Sequence, residues 1–182
     1  MPILIHLNGP SGVGKSTLAQ MYAADNPGVL NLDIDTVVSL IGGWRENFFG
    51  ALSPARHLAL AMAEAHLRNG WDVVMPQLVT SVDEAERFEA AAERAGAEYL
   101  EIALTVDPVE QVNRFRAKAK CSEVGVHIER AVTAEGGDNL LRRIHQHFGT
   151  YIALRPAALP LSTTDTDVDE SYAQVLAVLK RE

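Results

Sequence analysis

With 182 residues and 47% apolar side chains, the chain is long and hydrophobic enough to bury a core, which excludes a disordered tail. Its 24 Asp and Glu outnumber its 16 Lys and Arg, and the net charge of −8 argues against a nucleic-acid partner and requires any polyphosphate site to gather its positive charge locally. A single cysteine, Cys121, excludes an internal disulfide and a cysteine-rich zinc site, no apolar run reaches membrane-span length, and Met1-Pro2-Ile3 lacks the basic start of a signal peptide, so the expectation is a cytoplasmic protein with no membrane partner.

The first apolar run, residues 3–7, reads as a buried strand. Behind it stands Gly9-Pro10-Ser11-Gly12-Val13-Gly14-Lys15-Ser16-Thr17, which fills the pattern G-x-x-x-x-G-K-[ST] without a gap. Its glycines let the backbone curl so that several N–H groups point inward as a nest for anionic oxygens. A helix carrying Leu18, Ala19, Met21 and Tyr22 follows, and its free N-terminal N–H groups strengthen the nest. Lys15 is placed to reach the terminal phosphates and Ser16 to ligate Mg²⁺.

A second strand over 29–32 leads into Asn31-Leu32-Asp33-Ile34-Asp35, where strand ends face the ligand crevice of such sheets. A carboxylate there can accept the proton of a hydroxyl attacking a γ-phosphate. Asp33 and Asp35 are two apart and share a face if the segment is extended; Asp35 could instead cap a helix beginning at Thr36. The glycine-flanked stretch Gly42–Gly50 reads as a substrate flap in which Trp44 or a phenylalanine stacks on a ring and Arg45 meets the acceptor, or as a loop with anchoring aromatics. Leu58, Met62 and Ala65 then give a helix an apolar core stripe that stops at Asn69-Gly70. The third strand, 72–76, leaves through Pro76-Gln77, where many phosphate-loop proteins place an acid near Mg²⁺. Gln77 could orient water or a substrate hydroxyl, or only end the strand, with Asp33 or Asp35 taking the metal-shell role.

Further on, Ser81 and Glu84 read as a capping box for a helix with Phe88, Ala91, Ala92 and Ala95, ended by Gly96. A fourth strand covers 98–105. Asp107-Pro108 with Glu110 starts a helix carrying Val112, Phe115 and the local basic cluster Arg114, Arg116, Lys118 and Lys120. Arg114 and Lys118 share one helical face, and Arg116 and Lys120 the next. Arg114 or Arg116 is expected to contact nucleotide, with Arg116 stacking on adenine or neutralising transition-state charge. Residues 119–137 have weak apolar periodicity and three glycines, and read as a mobile lid with a short helix near 128–134. Arg130, Arg142 and Arg143 could enter the site or stay on the surface. His127, His145 and His147 lack metal-ligand spacing. Leu140, Leu141, Ile144, Phe148 and Tyr151 mark a long helix, 158–162 a fifth strand, and Tyr172, Val175, Leu176 and Leu179 a last helix capped by Asp167. The loop from Leu161 to Asp165 between them could touch the base. The alternation of strands and helices argues for parallel βαβ units in one domain over residues 1–182.

With these residues in view, the chain resembles the small-molecule kinases of the phosphate-loop superfamily, among them the predicted ATP-binding kinases grouped with zeta-toxin-like, chloramphenicol-phosphotransferase-like and tunicamycin-resistance-like proteins. The matching parts are Gly9–Thr17, the exit Leu32–Thr36, the strand Asp72–Gln77, the helix Asp107–Lys120 and the region Thr163–Leu179. The resemblance implies an α/β fold of three layers, with a five-stranded parallel sheet in the order 2-3-1-4-5 and a lid. It implies ATP and Mg²⁺, a catalytic aspartate where Asp35 stands, and lid arginines corresponding loosely to Arg114 and Arg116. Met75-Pro76-Gln77 departs from the acidic strand exit of the chloramphenicol enzymes and looks more like the tunicamycin-resistance branch, which makes antibiotic resistance one role to test. The expected activity is transfer of the γ-phosphate to a hydroxyl of a small molecule such as an antibiotic or nucleoside, by a monomer or homodimer. The alternatives are a nucleoside- or nucleotide-type kinase of primary metabolism and a non-catalytic ATP-binding module.

Overall fold

The computed structural model describes residues 1–119 and 123–180; Lys120 and Cys121 lie outside the described residues. Five parallel strands form one sheet: β1 (Ile3–Asn8), β2 (Leu30–Asn31), β3 (Val73–Pro76), β4 (Glu98–Thr105) and β5 (Leu159–Ser162), side by side in the order β2-β3-β1-β4-β5. Both expected features, the parallel pairing and the strand order, are present. β1 is central, hydrogen-bonded to β3 on one side and β4 on the other.

The pleat of β1 divides the core. Ile5 and Leu7 face helices α1 (Lys15–Asp25) and α8 (Val168–Leu179), packing with Leu18, Tyr172 and Val175. Leu4 faces the opposite layer, with α2 (Ile34–Val38), α3 (Phe48–Arg68), α4 (Val82–Arg94) and α7 (Asp138–Ala153). The remaining helices are α5 (Pro108–Ala119) and α6 (Glu123–Ala134), which pack with α7 around Phe115, Val132 and Leu141. Thus α6 starts at Glu123 and is longer than the short helix near 128–134 expected for that region.

Two further expectations fail for identifiable reasons. On α3 the buried stripe is Phe48, Ala51, Ala55, Ala59, Ala63 and Leu67, whereas Leu58 and Met62 are about half exposed and Ala65 is exposed. Four alanines at intervals of four let the helix axis come close to the sheet, so the small residues and not the large ones mark its inner face. On α4, Ser81 occupies the N-cap position but its hydroxyl makes no cap, and the Glu84 carboxylate that would complete a capping box pairs instead with Arg56 at 2.6 Å. The capping box that does form is at α8, between Asp167 and Glu170.

A polar network lies inside the layer of α3, α4 and α7. Glu101 of β4, 2% exposed, accepts from Asn8 at 2.7 Å and from the Tyr151 hydroxyl at 2.7 Å, and pairs with Arg155 at 3.2 Å. Asn8, one residue before the glycine loop, also clamps Val79 through both its N–H (2.8 Å) and its carbonyl (3.0 Å). The start of the loop, the exit of β3 and the end of α7 are therefore joined through one carboxylate. Glu101→Gln keeps the shape but withdraws the charge from Arg155 and turns an amide donor toward other donors. It is expected to lower unfolding stability by about 2 kcal/mol, read by urea titration.

Candidate active site

The loop between β1 and α1 is curled as its sequence demands. Gly12 has φ +95, and a Cβ there would lie 2.5 Å from the Gln111 carbonyl oxygen; at Gly9 a Cβ would lie 2.6 Å from that of Leu104. Neither position has room for a side chain, and only glycine takes the Gly12 backbone without strain. α1 starts on Gly14 with no side-chain cap, leaving its first N–H groups for an anion. The Lys15 ammonium turns back into the loop and donates to the carbonyls of Gly9 (2.6 Å) and Pro10 (2.9 Å). Burial, then the charge of Lys118, lowers its pKa to about 8.

Lys118, near the end of α5, donates to the Ser16 hydroxyl at 3.1 Å. The cation that α5 brings onto the loop is thus Lys118. Arg114, one turn earlier on the same face, pairs with Glu110 and donates to Thr163 and Thr166 in the β5–α8 connection, while Thr163 Oγ1 donates to the Val13 carbonyl at 3.3 Å. Arg114 therefore braces the flank of the glycine loop. Arg116 faces away and holds both oxygens of Asp138 at the start of α7, at 2.9 and 2.8 Å. Lys118 was visible in the sequence as one of four basic residues, but helical spacing alone does not reveal which cation reaches the loop.

Across the crevice, Asp33 is the N-cap of α2, its carboxylate accepting from the Asp35 N–H at 3.0 Å. The segment is not extended here, so the two carboxylates do not share a strand face, and Asp33 rather than Asp35 does the capping. Asp35 sits in the first turn of α2, free of that task. Its pKa is raised to about 6, first by burial and then by the Asp33 charge, with Lys15, Lys118 and Arg56 pulling it back down. Lys15, Lys118, Arg56 and Asp33 thus all act on the one carboxylate of Asp35, and Lys118 links Ser16 to them. Arg56 was not singled out in the sequence, because it lies within the α3 pattern three residues before the fully buried Ala59.

Three expected site residues lie elsewhere or turn inward. Trp44 is 3% exposed, its ring 5.0 Å from His127 of α6, with the Arg45 guanidinium 4.8 Å above it. Arg45 itself pairs with Glu123 of α6 at 2.7 Å. These two residues fasten the 42–47 loop to α6. Gln77 is 7% exposed and its side-chain amide donates to the Leu78 carbonyl at 3.1 Å. Its backbone carbonyl accepts from His6 Nε2 at 2.9 Å, while the Tyr99 hydroxyl serves Nδ1 at 2.8 Å; burial lowers the His6 pKa to about 4, so the ring is neutral.

The loop fits a nucleotide's phosphates, since its glycine cradle, partly buried ammonium and uncapped helix start are all complementary to anionic oxygens. Among the described residues there is no group of three or more His, Cys, Asp or Glu able to hold a metal.

A family profile described as "AAA domain" matches residues 4–141, three quarters of the chain. The chain belongs to this AAA domain family. No curated protein sequence matches it. Among solved structures, a provisionally assigned kinase from Chloroflexus aurantiacus J-10-fl superposes with a TM-score of 0.68 at 19% identity, covering 99% of this chain and 97% of that one. A gluconokinase from Sinorhizobium meliloti 1021 gives 0.68 at 15%, covering 99% and 93%. The tunicamycin resistance protein of Deinococcus radiodurans gives 0.57 at 20%, covering 98% and 96%. At these identities the likeness is one of fold, and it is the phosphate-loop kinase fold that the glycine loop announced. Among the described residues, no helix of this AAA domain protein is long and apolar enough to cross a membrane.

Proposed function

We propose that this AAA domain protein is a small-molecule kinase that moves the γ-phosphate of ATP to a hydroxyl of its acceptor. The observation that carries the reading is the pairing of a glycine loop and its ammonium with the raised-pKa carboxylate of Asp35 across one crevice. Asp35 takes the proton from the acceptor hydroxyl as its oxygen bonds to the γ-phosphorus, and the bond to the β-phosphate oxygen breaks to release ADP. Lys15 and the loop N–H groups hold the charge that builds on the phosphate oxygens. Ser16 would hold Mg²⁺, which when bound supplies charge neutralisation between the β- and γ-phosphates. Asp33 sets the first turn of α2 and so the position of Asp35.

Lys118 closes the nucleotide side. Its exposed ammonium is already at the loop, and it exchanges Ser16 for a phosphate oxygen when nucleotide binds. Lys118→Ala is expected to raise the KM for ATP about 5- to 10-fold, the scale of one charged contact weakened by solvent, read by steady-state kinetics. Arg116 reaches nucleotide only by giving up Asp138. The names of the structural neighbours point to sugar acids and antibiotics as first acceptors to try. The test is acceptor-dependent ADP release across a library of hydroxyl compounds, with nucleosides and nucleoside monophosphates included. ATP binding without stimulation by any acceptor would favour a binding module instead.

A further inference from the structure

Arg56 projects from α3 beside the segment that leaves β3. Its Nη1 lies 2.6 Å from Glu84 Oε1 on α4, and its Nη2 donates a long 3.3 Å bond to the Leu78 carbonyl. Its Nε is buried and has no hydrogen-bond partner. Nε and Nη2 form one edge of the planar guanidinium, the edge that receives two oxygens of a carboxylate or phosphate side by side. Glu84 takes the other end. One edge of this cation thus has one weak bond and one bare donor, and a donor shut from water with nothing to donate to calls for an explanation. An ion-pair strut between α3 and α4 would need Nη1 alone and leaves the other edge unexplained. The side chain is 26% exposed, its Nη2 bond to Leu78 places the head at the exit of β3, and its charge is one of those acting on Asp35.

We infer that Arg56 reads an anionic group on the acceptor, so that the molecule phosphorylated is an acid carrying a carboxylate or phosphate besides its hydroxyl. The inference rests on the kinase reading above and narrows its substrate class. Glu84 balances the guanidinium's charge until the acceptor's anion meets the free edge, and its own negative charge competes with that anion. The same pair accounts for the missing reciprocal half of a capping box at α4: the Glu84 carboxylate that would turn back to the helix start is committed to Arg56.

The experiment compares matched acid and neutral acceptors with Mg-ATP: D-glycerate against glycerol, D-gluconate against D-glucitol, and AMP against adenosine. The expected result is a kcat/KM at least ~30-fold higher for the acid in one or more pairs, about 2 kcal/mol. The first two pairs test a carboxylate and the third a phosphate. Arg56→Gln should raise the KM for the preferred acid about 30-fold while the neutral partner moves less than about threefold. Glu84→Gln, which releases the guanidinium, should lower the same KM; a mere strut would make the two variants behave alike. Preference for neutral acceptors, a rise in KM for ATP in place of the acid, or a higher acid KM in Glu84→Gln would each overturn the inference. If Arg56→Gln melts early by circular dichroism, Arg56→Lys takes its place, keeping the charge but not the planar edge. If no compound stimulates ADP release, the kinase reading has failed on its own, and calorimetric titration of AMP, D-gluconate and D-glycerate still decides: binding that Arg56→Gln abolishes supports the anion site, and no binding overturns it.

Discussion

Lys15→Ala is expected to lower acceptor-dependent turnover about 10³-fold, close to 4 kcal/mol of transition-state stabilisation, while leaving the fold intact. The ammonium is the one full positive charge inside the glycine loop, and its two partners there are carbonyls of the loop itself, Gly9 and Pro10. Phosphate oxygens offer a better counter-charge than these carbonyls, so the lysine is held ready for the nucleotide. Folding gains little from it. Its pKa is lowered to about 8 from 10.5, which means the folded chain disfavours the charged form. Between these two values the unfolded chain binds more protons, so the destabilisation is complete below pH 8 and fades as pH rises toward 10.5. Removing the ammonium should therefore not lower the melting temperature at pH 7, as differential scanning calorimetry can check. The same shift predicts that ATP affinity of the wild-type chain weakens above about pH 8, where free Lys15 loses its proton. Unchanged turnover in Lys15→Ala would contradict the site assignment.

The parts of the molecule legible in the sequence are those governed by local rules. The glycine loop was legible from its residue pattern and from the positive φ that Gly12 must adopt, although the missing space at Gly9 and Gly12 is made by distant residues, Leu104 of β4 and Gln111 of α5. β4 appeared with its expected bounds, and the Asp167 cap of α8 formed as a sequence neighbour of its partner Glu170. Failures came where distant residues compete for a side chain. Glu84 had a local role as a capping partner and a distant one with Arg56, and the distant one prevailed. Trp44 offered an aromatic face to a substrate, but the apolar surface and His127 of α6 claim it first. Arg116 and Lys118 lie two residues apart on one helix, so they point in different directions, and only the packing of α5 decides that Asp138 receives one and Ser16 the other. The exposure of Leu58 and Met62 has the same origin, because the proximity of α3 to the sheet, and not the size of its side chains, chose the inner stripe.

Asp35→Asn is expected to cut phosphoryl transfer by 10²–10⁴-fold with nucleotide affinity retained, because a positioned base contributes on that scale and the amide keeps the shape of the first turn of α2. The raised pKa gives the prediction its pH signature. Burial and the Asp33 charge hold the Asp35 proton to about pH 6, so the free enzyme has an active base only above that value. With Lys15 losing its charge from about pH 8, kcat/KM for the wild type should rise through 6 and fall through 8, and Asp35→Asn should lose the lower limb alone. Stability moves the opposite way. A folded pKa above the free value of 3.8 means the native chain binds the extra proton, so stability is greatest at low pH and falls as pH rises from about 4 to 6. At pH 7 the ionised carboxylate opposes folding, and the neutral asparagine should melt higher, by about 2–4 °C for each kcal/mol relieved. A base set into its site at the expense of the fold predicts this pair of changes together: slower transfer and a higher melting temperature. A general structural aspartate would lose both. If Asp35→Asn instead abolishes calorimetric binding of Mg-ATP, the carboxylate serves the metal's water shell, and the base must be sought at Asp33.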